Sequence, residues 1–110
     1  MKIDEMPAGR ELDAEVAEKV MGWTNLYNRF GNEMGYRPHS SFIPDYSTDI
    51  AAAWEVVEKM QAANWHIELS TCAEMKGPWY CHFQEATLAY AYASTTPLAI
   101  CRAALKAVTP

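Results

Sequence analysis

The chain has 110 residues, half of them hydrophobic and 21% charged, which is the size and balance of one globular domain and lies far from the signature of disorder. Its formal net charge of -5 opposes non-specific attachment to phosphate backbones, where Lys and Arg supply affinity by releasing counterions, so nucleic acid is an unfavoured partner. No apolar run approaches the ~20 residues that a membrane helix needs, and Met1-Lys2-Ile3-Asp4-Glu5 lacks the basic-then-apolar pattern of a secretory signal. A cytoplasmic protein with no membrane partner is expected.

Three cysteines, Cys72, Cys81 and Cys101, sit in apolar or strand-like surroundings without paired spacings. They are expected to be reduced thiols in or near the core. They also argue against a metal site: no Cys-x-x-Cys or His-x-x-x-His pair is present, and Cys81 and His82, as strand neighbours, point to opposite faces. Gly-rich phosphate loops, Walker sequences and Gly-x-Ser-x-Gly elbows are absent, so no cofactor is implied.

Leu12, Val16 and Val20 recur at i, i+4, i+8 with Ala17 and Met21 beside them, while Glu11, Asp13, Glu15, Glu18 and Lys19 fill the other positions. This spacing predicts a first helix over about residues 9–21, closed by Gly22 in the left-handed conformation, with Glu15 and Lys19 paired on its surface. A segment at about 24–45, punctuated by Gly31, Gly35, Pro38 and Pro44 yet rich in large side chains, reads as an irregular aromatic insert packed under a long connection.

A second helix follows, capped by Ser47 or Thr48 with Asp49 in its first turn. Ile50, Ala53, Trp54, Val57 and Met60 or Gln61 form the expected inward stripe, Glu55 and Lys59 face out, and Asn64 terminates. The period then changes from 3.6 to 2. Trp65, Ile67 and Leu69 alternate with His66, Glu68 and Ser70. After a turn signalled by Lys76-Gly77-Pro78, Trp79, Cys81 and Phe83 alternate with Tyr80, His82 and Gln84. A turn centred near Glu74 sets Ile67 opposite Phe83, Leu69 opposite Cys81, Glu68 opposite His82 and Ser70 opposite Tyr80. A third strand is expected from Leu88 to Ala93, with alanines on one face and Tyr90 and Tyr92 on the other. Thr96 then caps a last helix with Pro97 in its first position. Leu98, Cys101, Leu105 and Val108 face inward, and Arg102 and Lys106 lie toward the carboxyl end.

Several long words in this order resemble the phage α/β/α ("ABA") sandwich domain, a family of small phage and prophage proteins. They are Gly9-Arg10-Glu11-Leu12-Asp13, Val16-Ala17-Glu18-Lys19-Val20-Met21-Gly22-Trp23, Tyr46-Ser47-Thr48-Asp49-Ile50-Ala51-Ala52-Ala53-Trp54-Glu55-Val56-Val57, and Thr96-Pro97-Leu98-Ala99-Ile100-Cys101-Arg102-Ala103-Ala104-Leu105. The resemblance implies one α/β (α+β) domain over residues 1–110, a three-layer α/β/α sandwich in the order α-α-β-β-β-α with the antiparallel three-stranded sheet in the middle. It also implies a phage or prophage origin, and it brings no activity and no catalytic residues. The segment Thr24–Asp45 does not match its pattern. With helices on both faces, the tyrosine side of the sheet would be at least partly covered by the first helix with Trp23 and Tyr27.

Glu68 beside His82, with Tyr90 or Tyr92 near, has the parts of a carboxylate-oriented imidazole. No nucleophile, oxyanion loop or second acid can be placed beside it, so a cross-strand pair is the favoured reading. His39 and His66 stand alone. The helix–three strands–helix order also matches double-stranded-RNA-binding domains, but the last helix opens Thr95-Thr96-Pro97-Leu98 where those grip phosphate with a basic cluster. What remains is a non-enzymatic phage or prophage accessory protein, acting by contact with a phage or host protein or by homo-oligomerisation. Its candidate partner surface is Trp23, Tyr27, Tyr36, Glu68, Tyr80, His82, Tyr90 and Tyr92. The alternative is a small-ligand protein or enzyme built on the Glu68/His82/Tyr cluster.

Overall fold

The computed structural model describes residues 2–23, 43–74 and 77–109, and the aromatic insert falls almost wholly outside them. Helix α1 spans Arg10–Lys19, α2 Ile50–Ala62 and α3 Thr96–Val108; strands β1 (His66–Glu74), β2 (Gly77–Gln84) and β3 (Leu88–Ala93) form an antiparallel sheet in the order β1-β2-β3. This is the expected α-α-β-β-β-α order of an α/β/α sandwich. A short 3-10 turn at Ile3–Glu5, which no periodicity announces, precedes it.

The register is the one the alternation predicts: Ile67 pairs with Phe83, Glu68 with His82, Leu69 with Cys81 and Ser70 with Tyr80, and β3 continues it with Cys81 opposite Ala91 and His82 opposite Tyr90. One face therefore carries Cys81, Phe83, Ala89, Ala91 and Ala93, all buried, and the other carries Glu68, Tyr80, His82, Tyr90 and Tyr92. The turn differs from expectation. Gly77 opens β2 and pairs with Glu74 after a register shift, where Lys76-Gly77-Pro78 was expected to turn. Its φ of 137° is left to glycine, and a Cβ there would collide with the backbone of Ala93.

Helix α3 is the centre of the molecule. Pro97 to Cys101 and Ala103 to Leu105 are all buried, and the helix packs on β2 and β3, on α2 and on α1. A helix apolar on nearly every side must be covered on nearly every side. Alanines make this coverage close, with Ala99, Ala103 and Ala104 on α3, Ala52 and Ala53 on α2, and Ala89, Ala91 and Ala93 on β3. Thr95 is its N-cap residue, one position before the expected Thr96, and Val108 lies at its exposed end, outside the inward stripe.

The alanine contact also corrects the orientation of α2. Its buried face is Ala52, Ala53, Val56, Val57 and Met60, while Ile50 and Trp54, expected inside, are 50% and 46% exposed. Two arcs of this helix are apolar, and the one with the smaller side chains lets α2 approach α3. Asp49 is the N-cap, accepting a hydrogen bond from the Ala51 amide at 3.2 Å. At the other end Asn64 sits at φ 69°. The Asn64 amide donates to Gln61 O and the Trp65 amide to Met60 O, each at 3.0 Å, which is a Schellman closure.

Ser47, freed from capping α2, turns into the core against α1. Its amide donates to Asp13 Oδ1 at 2.7 Å and its hydroxyl accepts from the Gly9 amide at 2.9 Å. Asp13, expected on the outer face of α1, is thus buried at 4% exposure. Helix α1 ends in a widened turn, with Met21 N donating to Val16 O and Trp23 N to Ala17 O, and Gly22 takes the expected left-handed conformation at φ 79°. Glu15 and Lys19 pair at 2.8 Å as predicted. The principal partner of α1 is α3. The expectation that it covers the tyrosine face is corrected accordingly.

Two outcomes follow in urea denaturation. Val57→Ala should lose about 2 kcal/mol while Trp54→Ala stays within about 0.5 kcal/mol, and equal losses would place the wrong arc inside. Asp13→Ala, which leaves the buried Ser47 amide without its acceptor, should cost about 2–3 kcal/mol.

Candidate functional site

The face of the sheet away from Cys81 and Phe83 brings together five of the eight residues expected as a partner surface. Tyr80 and His82, two apart on β2, lie on one face because a strand alternates, and the pairings add Glu68 from β1 and Tyr90 and Tyr92 from β3. Tyr80 is the hub: its ring lies 5.0 Å from that of Tyr92, 5.5 Å from the imidazole of His82 and 6.1 Å from Tyr90. Tyr90 and Tyr92 meet edge to face. Such offset and T-shaped contacts bring the positive edge of one ring to the negative face of the next.

The polar groups form a line. Tyr80 Oη lies 2.9 Å from His82 Nδ1, and His82 Nε2 lies 3.5 Å from Glu68 Oε2. A carboxylate can only accept, so in the tautomer that carries its proton on Nε2 toward Glu68, Nδ1 accepts from the Tyr80 hydroxyl. Burial raises the pKa of Tyr80, with the neighbouring Tyr92 and Glu68 adding to the shift. Tyr80 thus stays protonated, with the imidazole of His82 between it and Glu68. Glu68 is largely exposed and His82 mostly covered.

The other expected surface residues fall elsewhere. Trp23 is 4% exposed and belongs to the core; Tyr27 and Tyr36 lie outside the described residues. Three groups that sequence reasoning did not assign to a surface site appear instead. Ile50 and Trp54 stand out from α2. Lys106 reaches round β3 to place Nζ 5.1 Å from the centroid of Tyr90 and 3.0 Å from both carboxylate oxygens of Asp4. Arg102 donates to Met6 O through Nε and Nη2, at 3.1 and 2.7 Å, and to Tyr92 O through Nη1 at 3.4 Å. The basic residues on α3 were visible as a pair at i, i+4, but their partners near the N-terminus were not.

Cys81 and Cys101 are buried, unlinked thiols. Burial pushes Cys81 up to about 12 and raises Cys101 further. No group of three or more metal-ligating side chains occurs among the described residues, and none of the described helices is long and apolar enough to cross a membrane.

Fold and face together define a small α/β sandwich whose sheet carries an aromatic, hydrogen-bonded outer surface. The family model of the phage ABA sandwich domain matches residues 14–105, and the chain belongs to that family. Its fold is similar to that of a phage protein from Bacillus cereus known from a crystal structure, with a TM-score of 0.77 and 24% identity over 96% of this chain and 95% of the other. None of the curated proteins matches.

The thiols generate a pH dependence. An unfolded cysteine ionises near 9.0 and burial moves Cys81 to about 12, so above the lower value the unfolded state sheds protons that the folded state keeps. The contribution of Cys81 to stability is complete below the lower value and is lost as pH rises through the interval. A Cys72→Ser protein should accordingly show no reaction with a thiol reagent at neutral pH while folded, and a urea midpoint that falls as pH rises above 9.0. Fast native labelling would contradict the burial.

Proposed function

We propose that this member of the phage ABA sandwich family is a non-enzymatic accessory protein of a phage or prophage, acting in the host cytoplasm by binding a phage or host protein or by self-association. The observation that carries this reading is the outer face of the sheet, where three tyrosines lie side by side and Tyr90 is 46% exposed. Tyrosine combines a large, stiff contact area with a hydrogen-bonding end, which is why it concentrates in interfaces. The exposed Ile50 and Trp54 of α2 add apolar surface of the same kind. The acidic net charge supports a protein partner over a nucleic acid.

Catalysis by the Glu68/His82/Tyr80 line is the alternative, favoured by its hydrogen-bonded alignment. It is weakened by the raised pKa of Tyr80, which makes that hydroxyl a poor nucleophile.

Light scattering of the pure chain and affinity capture from phage-infected cells test the reading. A defined oligomer or a captured protein is expected, with Tyr90→Ala weakening the contact by about 2 kcal/mol, the scale of an interface hot spot. A monomer at all concentrations that captures nothing would overturn it, and turnover abolished by His82→Ala in a folded protein would install the alternative.

A further inference from the structure

On the outer edge of β3 lies a cleft of about 360 Å³ lined by Asp4, Tyr90, Ala91, Tyr92, Arg102 and Lys106. This is the size at which small-molecule sites begin. Its charge runs against that of the whole protein, since among the described residues lining it two cations face one carboxylate, in a chain of net charge -5. Arg102 donates to the neutral carbonyl oxygens of Met6 and Tyr92, which hold its guanidinium in place without neutralising it. Among the described residues the side chain that offsets the positive charge is Asp4, which stands on the 3-10 turn, is 60% exposed and grips Lys106 through both oxygens at 3.0 Å. An ion pair so open to water is weakly held.

The wall of the cleft is equally specific. The β2–β3 hairpin is closed by a bond from the Glu85 amide to Thr87 O, so the hydrogen-bonded pairs recur at Phe83–Ala89, Cys81–Ala91 and Trp79–Ala93. The main-chain groups of Tyr90 and Tyr92 therefore point outward, toward the cleft, and the bond from Arg102 to Tyr92 O confirms that direction for one of them. The ring of Tyr90 adds an exposed aromatic surface beneath Lys106.

We propose that this cleft is a carboxylate-binding site, in which an organic acid displaces Asp4 from Lys106, lies against the Tyr90 ring and meets the outward amide of Tyr90. Asp4 is the tethered competitor that shows which group the site accepts. The carboxylate is that of a free aromatic acid or of the C-terminus of a partner's extended segment. In the second case the proposal rests on the interaction reading above and names the chemistry of the partner.

The test is an amide-resolved NMR titration of the full chain with N-acetylphenylalanine, with its neutral primary amide, and with a five-residue Val/Thr peptide ending in phenylalanine, as free acid and as amide. The acids should shift Tyr90, Tyr92, Arg102 and Lys106, and the amides should not. Lys106→Met should weaken binding about tenfold and Lys106→Arg should preserve it, as loss and retention of a charge-assisted bond require. Asp4→Asn, which removes the competing charge, should strengthen binding about threefold. Tighter binding of the five-residue acid assigns the site to a partner segment, and equal binding assigns it to a free acid. Acids and amides that shift the same residues alike, no shift at the cleft with any probe, or a folded Lys106→Met protein that binds like wild type would overturn the proposal. A captured partner bound equally well by Lys106→Met would leave the interaction reading standing without it. Acid binding with no partner or oligomer found would do the reverse.

Discussion

Close approach through alanine is the constraint from which the rest of this structure follows. Alanine is the smallest side chain with a Cβ, and it occupies the contact surfaces of α2, α3 and β3 together. The backbones come near enough that a single interior serves helix and sheet at once. An added methylene in such a contact has nowhere to go, and overpacking costs about 1–3 kcal/mol. The same constraint decides what is left outside. Because α2 turns its small side chains to α3, Ile50 and Trp54 are displaced to solvent. The alanines of β3 put Tyr90 and Tyr92 on the opposite side of the strand.

Polar contacts then tie the ends of the chain to this interior. Asp13 and Ser47 join the start of α1 to the approach to α2, on either side of the segment between them. Arg102 binds the main chain at Met6, and Lys106 binds Asp4, so the 3-10 turn is strapped across α3. The two ties differ in kind. The first is buried and expensive to lose, because an abandoned amide cannot find water; the second is open and easily exchanged. A structural pin and an exchangeable clasp therefore sit on the same small fold.

The sheet was legible in the sequence because period two leaves no ambiguity once a turn is placed. Ile67 and Leu69 can share a face with Trp65 and not with Glu68, and the pairing of Glu68 with His82 follows. The hydrogen bond of His82 to Tyr80 was half visible, since residues two apart share a face, but side-chain direction within that face is set by packing. Helix α2 was misread for a physical reason. Ile50, Ala53, Trp54 and Val57 are as regular a stripe as Ala52, Ala53, Val56, Val57 and Met60, and size complementarity with α3, which no local pattern carries, chose between them. Asp13 looked like one more acid on a charged helix face, and only the return of Ser47, many residues on, makes it interior. Trp23, expected at the surface, belongs to the core directly after Gly22. The family resemblance named the architecture but not the packing of α1 against α3.

The left-handed turn at Asn64 governs more than the end of a helix. It hands the chain from a period of 3.6 to a period of 2 at a fixed phase, with Trp65 already against the core. Insert or remove one residue there and β1 keeps its length and its partners in space but inverts its parity, sending His66, Glu68 and Ser70 toward α2 and Ile67 and Leu69 to the tyrosine side. Acid and imidazole would then part company without either being mutated.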